Sequence, residues 1–326
     1  MRVDPRKAGK SPGEGAAYVR LEDLVRLRYE ASGFSFLPRQ PVHSVLSGRH
    51  SSKLRGRGLN FEELRNYLPG DDTRNIDWRV TARTRKPHVR IYTEEKDRQV
   101  WLLIDQRINM FFGSHRRMKS VTAAEVAAIS AWRVLSVGDR VGAIVFNDND
   151  SFVIPPHRSE ERVMQVLNQV VRLNHALEAS TSSAPGPGML NKVLQKAYTL
   201  ARHDCLVCLI TDADGIDPET RKYVTRLSEH NDVLAAFIYD PLEREIPAAG
   251  RLRFTDGLRH LEADTTGRKI RQNFNQAFGQ KQQRLQTASR RLGLPVLPIE
   301  TTRPVTDQLR EAFGHHVGSA NTRMNV

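Results

Sequence analysis

Val100 to Ile104 are five apolar residues in a row, with no alternation of apolar and polar positions. A strand covered by helices on both faces has that pattern, whereas a half-exposed strand alternates. The run ends on Asp105, followed by Gln106 and Arg107. The carboxyl end of a central parallel strand is where ligands and partners dock. Downstream, strands and amphipathic helices take turns. Ser120 reads as the N-cap of a helix with the stripe Val121, Ala124, Ala128, Ala131 and Leu135, stopped by Gly138. Val141 to Phe146 is a strand, and Ser151 to Ile154 a short one that Pro155-Pro156 should close. Ser159 opens a helix, and Met189 to Ala201 is another. Cys205 to Ile210 is a core strand ending at Thr211-Asp212, and Asp217-Pro218 starts the next helix. Val233 to Tyr239 is a buried strand, and Leu242 to Asp264 an insertion with hairpin-like pieces. Ile270 to Leu292 marks one long helix, Pro295 to Ile299 a last strand and Val305 to Phe313 a last helix.

This rhythm predicts an α/β fold, a doubly wound mostly parallel sheet with right-handed crossovers. Ahead of it lies a β-rich N-terminal extension. Residues 1–17 are expected to be a disordered basic arm. Residues 18–95 are expected to form a platform, with a short helix ending before Gly33 and a half-exposed strand at Val89, Ile91 and Thr93. The α/β domain is expected over residues 96–316, with 317–326 as a tail.

The formal net charge of +13 sharpens the picture because it is unevenly placed. Met1 to Arg57 holds twelve Lys/Arg against five Asp/Glu, and Thr265 to Ile299 holds seven Lys/Arg and no acid. Such faces attract polyanions or acidic partners, although a solvated surface accounts for the same charges. No apolar run approaches ~18 residues, which argues against a membrane span. The two cysteines fit a reducing compartment, and a cytoplasmic location is expected. In Cys205-x-x-Cys208 the odd offset within a strand sends the thiols to opposite sheet faces, so they read as small core residues. The basic loop Ser47 to Gly58 lacks the G-x-x-x-x-G-K-[ST] order of a phosphate-binding loop.

The most distinctive text lies between Gly58 and Arg83. Arg65, Gly70, Asp71, Asp72, Arg74, Asp77, Trp78 and Arg83 crowd turn residues, acids and arginines together. The favoured expectation is that they knit a loop to the neighbouring sheet, with Trp78 as its buried anchor. The alternative is a partner-docking surface. Phe61-Glu-Glu-Leu-Arg-Asn-Tyr67, Pro69-Gly-Asp-Asp72, Ile76-Asp-Trp78 and Ala82-Arg83 resemble the signature of the domain of unknown function 58 family. Asp240-Pro-Leu-Glu243, with Pro247 and Gly250, adds to the likeness. The resemblance spans about residues 20 to 315. It implies a von Willebrand factor type A-like fold after Gln99, and a bacterial protein often encoded beside a MoxR-type AAA+ ATPase.

Type A domains often hold a divalent cation at the carboxyl edge of the sheet, through D-x-S-x-S, a Thr and a later Asp. The corresponding text here is Asp105-Gln-Arg107-Ile-Asn109, Gly188 and Asp212, a degenerate metal-ion-dependent adhesion site. Asp105, Asn109 and Asp212 are weak candidate ligands for Mg²⁺ or Mn²⁺, and Arg107 is expected to take the ion's place by neutralising both aspartates. No cofactor is expected. The leading functional expectation is a non-enzymatic adaptor whose partner-binding residues are Asp105, Arg107, Asn109, Gly188, Asp212 and Asp214, with a MoxR-type AAA+ ATPase as candidate partner. A metal-dependent hydrolase using Asp105 and Asp212 is one alternative, but H-E-x-x-H, G-x-S-x-G and Walker patterns are missing. Nucleic-acid binding through the basic arm and the Arg268 to Arg291 helix is another.

Overall fold

The computed structural model describes residues 17–32, 59–68, 71–94, 97–114, 117–177, 188–245, 247, 250–255 and 260–313 of the 326. Residues 1–16 of the basic arm, the Ser47 to Gly58 loop, Gly70 and the tail therefore lie outside the described residues. The chain divides into two compact units, Pro41–Asp97 and Met1–Gln40 with Arg98–Val326. In chain order the elements are α1 (Leu21–Arg26), β1 (Leu59–Asn66), α2 (Trp78–Thr84), β2 (His88–Glu94), β3 (Gln99–Asp105), α3 (Lys119–Ser136), β4 (Arg140–Phe146), β5 (Ser151–His157) and α4 (Glu160–His175). There follow α5 (Met189–Leu200), β6 (Leu206–Thr211), α6 (Pro218–Ser228), β7 (Asp232–Tyr239), α7 (Pro241–Arg244), β8 (Arg251–Thr255), β9 (His260–Asp264), α8 (Arg268–Leu292), β10 (Val296–Glu300) and α9 (Val305–Phe313).

In the larger unit six strands form one sheet in the order β10-β7-β6-β3-β4-β5. All neighbours run parallel except β5, which is antiparallel to β4 at the edge. This is the doubly wound, mostly parallel sheet expected from the apolar runs, in the part of the chain for which the family resemblance implies a type A-like fold. Alternate strand residues bury on opposite faces. Val100, Leu102 and Ile104 join Cys208 in a core with α3 and α4, whereas Trp101 and Leu103 join Cys205 in a second core with α5. Two covered faces explain why β3 shows no period of two, and why the two thiols part company. Burial pushes the Cys208 thiol up to about 12, as for an inert core residue.

Three local expectations need correction. The edge strand runs through Pro155 and Pro156 instead of stopping before them. An edge position spares the missing N–H, and the β4–β5 register slips between Val141 and Ala143 to fit the rings. Gly142 permits this approach, since a Cβ there would stand 2.6 Å from Pro156 N. The second correction concerns α3, which starts at Lys119 with Met118 at the N-cap, so Ser120 is a buried first-turn residue and not the cap. Lys119 is drawn inward, as described below. The third is α1, which belongs to the larger unit and packs within it. Trp132 Nε1 donates to Leu24 O at 3.1 Å, and Val19 N donates to Asn174 Oδ1 at 2.9 Å.

The smaller unit pairs β1 with β2 antiparallel and carries α2 between them in sequence. Trp78 is not a buried anchor; it is 69% exposed. The buried residue is its neighbour Asp77, whose carboxylate caps α2 by accepting from Arg79 N and Val80 N. The Asp77 amide donates to His88 O of β2. With the cap turned towards β2, helical geometry rotates Trp78 outward.

Candidate functional site

Strand order reverses between β3 and β6, and such a switch point opens a crevice at the carboxyl ends of the strands. Ile104 pairs in register with Ile210, so Asp105 and Thr211 leave the sheet side by side, with Asp212 next in the chain. Asp105 is fully buried, and every contact it makes is with a donor. Its Oδ1 accepts from Arg107 N at 3.0 Å and Arg107 Nε at 3.0 Å, and its Oδ2 from Arg107 Nη2 at 2.7 Å and Thr211 Oγ1 at 2.7 Å. The guanidinium fork thus clasps the carboxylate bidentately, and Arg107 Nη2 also reaches Asp214 O at 3.1 Å. Burial alone would lower the Arg107 pKa, but Asp105, with help from Asp212 and Asp214, raises it beyond its ordinary value.

Asp212 has a different cation. Lys119 Nζ donates to Asp212 Oδ2 at 2.7 Å and to Glu243 Oε1 at 2.7 Å, and lies 5.6 Å from the Phe112 ring centroid. Asn109 Nδ2 and Asp214 N fill the other oxygen of Asp212, at 2.7 and 2.9 Å. Burial would raise the Asp212 pKa, yet Lys119 and then Lys281 outweigh it and hold the carboxyl well below its usual range. Burial would likewise lower the Lys119 pKa, and Asp212 and Glu243 reverse that. A lysine in the first turn of a helix opposes the macrodipole, so the two carboxylates also offset that cost.

The likeness at Asp240-Pro-Leu-Glu243 acquires a physical meaning here. Asp240 and Glu243 form a capping box on α7, with Pro241 at its first position. Asp240 Oδ2 also accepts from Ser114 N at 2.9 Å and Thr301 Oγ1 at 2.6 Å, joining the loop after β3 to the end of β10. The box aims Glu243 at Lys119. Gln106 extends the same edge inward, donating to Ser120 O at 3.0 Å and accepting from Asn174 Nδ2 at 3.1 Å.

A divalent ion does not fit these residues as they stand. Both oxygens of Asp105 and both of Asp212 already face hydrogen-bond donors, among them the Arg107 guanidinium and the Lys119 ammonium, and a hard cation needs such oxygens for itself. Among the described residues no group of three or more His, Cys, Asp or Glu is placed to hold a metal. The expectation that Arg107 neutralises both aspartates is corrected in one respect: Arg107 pairs with Asp105, and Lys119 pairs with Asp212. Lys119 escaped the sequence reading, and its one signal was a cation at the start of an apolar helix.

The six residues expected to meet a partner divide by exposure. Asp105, Arg107 and Asp212 are buried, Asn109 is half-buried, and Gly188 and Asp214 are exposed. Gly188 precedes α5 in open space, with nothing within 4 Å of a Cβ placed there.

In the smaller unit the signature acids act locally. Arg65 pairs with Asp71 through bonds of 2.9 and 2.7 Å, and this pairing, together with the Leu68 amide, lowers the Asp71 pKa. Asp72 caps the turn Thr73–Asn75, and Asp77 caps α2. Arg74 and Arg83 are exposed.

The family model described as "Protein of unknown function DUF58" matches residues 63–284. The chain belongs to this family. The match takes in the signature from Glu63 onward, the Asp105 and Asp212 edge, and the α7 capping box. Uncharacterized protein Rv1480 of Mycobacterium tuberculosis is 26% identical over 269 residues, 81% of this chain and 82% of that protein. Uncharacterized protein Mb1516 of Mycobacterium bovis matches equally. Among solved structures, BatB from Bacteroides thetaiotaomicron is similar at a TM-score of 0.38 and 14% identity, over 65% of this chain and 93% of that one. An aerotolerance-related membrane protein from Bacteroides fragilis is similar at 0.40 and 14%, over 66% and 97%. A von Willebrand factor type A protein from Catenulispora acidiphila is similar at 0.35 and 13%, over 68% and 43%. In the DUF58 chain itself no helix of the described residues is long and apolar enough to cross a membrane.

Proposed function

We propose that this DUF58 protein is a non-enzymatic, cytoplasmic adaptor that presents the carboxyl edge of its sheet to a protein partner without using a metal ion. The observation that supports this reading is the pair of internal cations, Arg107 on Asp105 and Lys119 on Asp212. With both carboxylates engaged, neither is free to act as a general base or to complete a metal site. The edge keeps its shape through ion pairs built into the chain, and recognition falls to the groups around them: Asn109, Gly188 and Asp214. Family resemblance makes a MoxR-type AAA+ ATPase the candidate partner, in the assembly or maturation of a protein complex.

The test is a pull-down of the purified ATPase at raised salt, with Gly188→Arg and Asp214→Lys variants. Both positions are exposed, and a Cβ at Gly188 meets nothing within 4 Å. Retention by the parent chain and loss by both variants is the expected result. Equal retention by all three would place the contact elsewhere, and no retention would remove the ATPase from the proposal.

A further inference from the structure

The signature segment of the smaller unit has a feature that the sheet edge does not use. Between Thr73 and Lys86 the chain carries Arg74, Arg79, Arg83, Arg85 and Lys86, all exposed, against a single acid, Asp77. Asp77 is buried and committed to capping α2. The acids just before it are committed too, Asp71 to Arg65 and Asp72 to the Arg74 amide. Among the described residues these five cations have no acidic partner within the unit. Trp78 stands among them, 69% exposed, while Trp101 and Trp132 are buried. On α2 the spacing of three and four residues sets Trp78 beside Thr81 and Ala82, and Arg79 beside Arg83, while Arg85 at the C-cap and Lys86 follow the helix.

We propose that this outer face of α2 is a second docking surface, and that its occupant is an acidic segment of another protein. Trp and Arg are the residue types that dominate protein interfaces, and the guanidinium fork matches a carboxylate bidentately. The charge asks for an anion, and the remaining features select the kind. Single-stranded nucleic acid is held by successive stacking rings, and this face offers one. An anionic bilayer takes up a helix with an apolar face, whereas the exposed positions of α2 besides Trp78 are Arg79, Ala82, Arg83 and Thr84. The proposal does not depend on the sheet edge, which belongs to the other unit.

The test uses the full chain and the native fluorescence of Trp78, the exposed tryptophan of the three. Titration with a glutamate–alanine peptide should shield Trp78 from acrylamide in a saturable, salt-sensitive way. An oligothymidylate of equal charge and phosphatidylserine vesicles should bind about tenfold more weakly or worse. Arg79→Glu/Arg83→Glu should weaken peptide binding roughly tenfold or more with an unchanged melting curve. Should that variant misfold, Arg79→Lys/Arg83→Lys keeps the charge, loses the fork, and should still weaken the peptide about threefold. Absence of shielding at low salt, tighter binding of the oligothymidylate or vesicles, or full affinity in the lysine variant would overturn the proposal.

Discussion

Lys119 Nζ stands 2.7 Å from Asp212 Oδ2, and both side chains are buried at the carboxyl edge of the sheet. A buried pair of this kind contributes little when compared with a well-packed apolar pair, but removing one partner leaves the other charge stranded. Lys119→Met should therefore cost about 3–5 kcal/mol of folding stability. Lys119→Met/Asp212→Leu should recover most of that loss, because Glu243, the remaining partner, retains access to water. Urea denaturation of the three chains measures both values, and equal losses in the single and double variants would contradict the pairing.

The same pair sets a pH dependence with a definite sign. The Asp212 pKa in the fold is below the ordinary aspartate value, so its contribution is present above that value and lost as pH falls through the folded value. The Lys119 pKa is above 10.5, so its contribution is present below that value and lost as pH rises through the folded one. Both statements describe one interaction, and between the two limits it is constant. Lys119→Met/Asp212→Leu should flatten both limbs of the stability profile, below about pH 4 and above about pH 10. Limbs unchanged from the parent would assign acid and alkaline unfolding to other groups.

Gly142 tests the edge of the sheet. Its missing Cβ would stand 2.6 Å from Pro156 N and 2.7 Å from Ile154 O, both backbone atoms. Gly142→Ala should destabilise the protein by about 1–3 kcal/mol, the usual range for overpacking. Thermal melting checks this, and a neutral or stabilising alanine would mean that β5 is free to move away.

How much of this was legible beforehand depends on what each residue type announces. Val100 to Ile104 announces a two-sided strand because its apolar run leaves no solvent face. Asp217-Pro218 announces a cap, and the structure adds Thr220 as the other half of the box. Asp105 and Asp212 were expected to share an edge, and adjacent strands deliver them there. Lys119 announced little beyond a cation at the start of an apolar helix, since a lysine there ordinarily lies in water and only the tertiary position of Asp212 draws it inside. Trp78 misled for the opposite reason: a tryptophan ordinarily anchors a core, but the cap at Asp77 fixes the helix rotation and turns the ring outward. Pro155 and Pro156 read as a stop because a sequence does not reveal which strand lies at an edge.

The most direct test of a cation-closed edge is calorimetric titration of the parent chain with Mn²⁺, repeated on Asp105→Ala. If Arg107 and Lys119 occupy the carboxylates as described, neither chain should release or absorb heat beyond dilution at millimolar Mn²⁺. Saturable heat in the parent that vanishes in Asp105→Ala would mean that the ion displaces the cations, and the metal-independent edge would be lost.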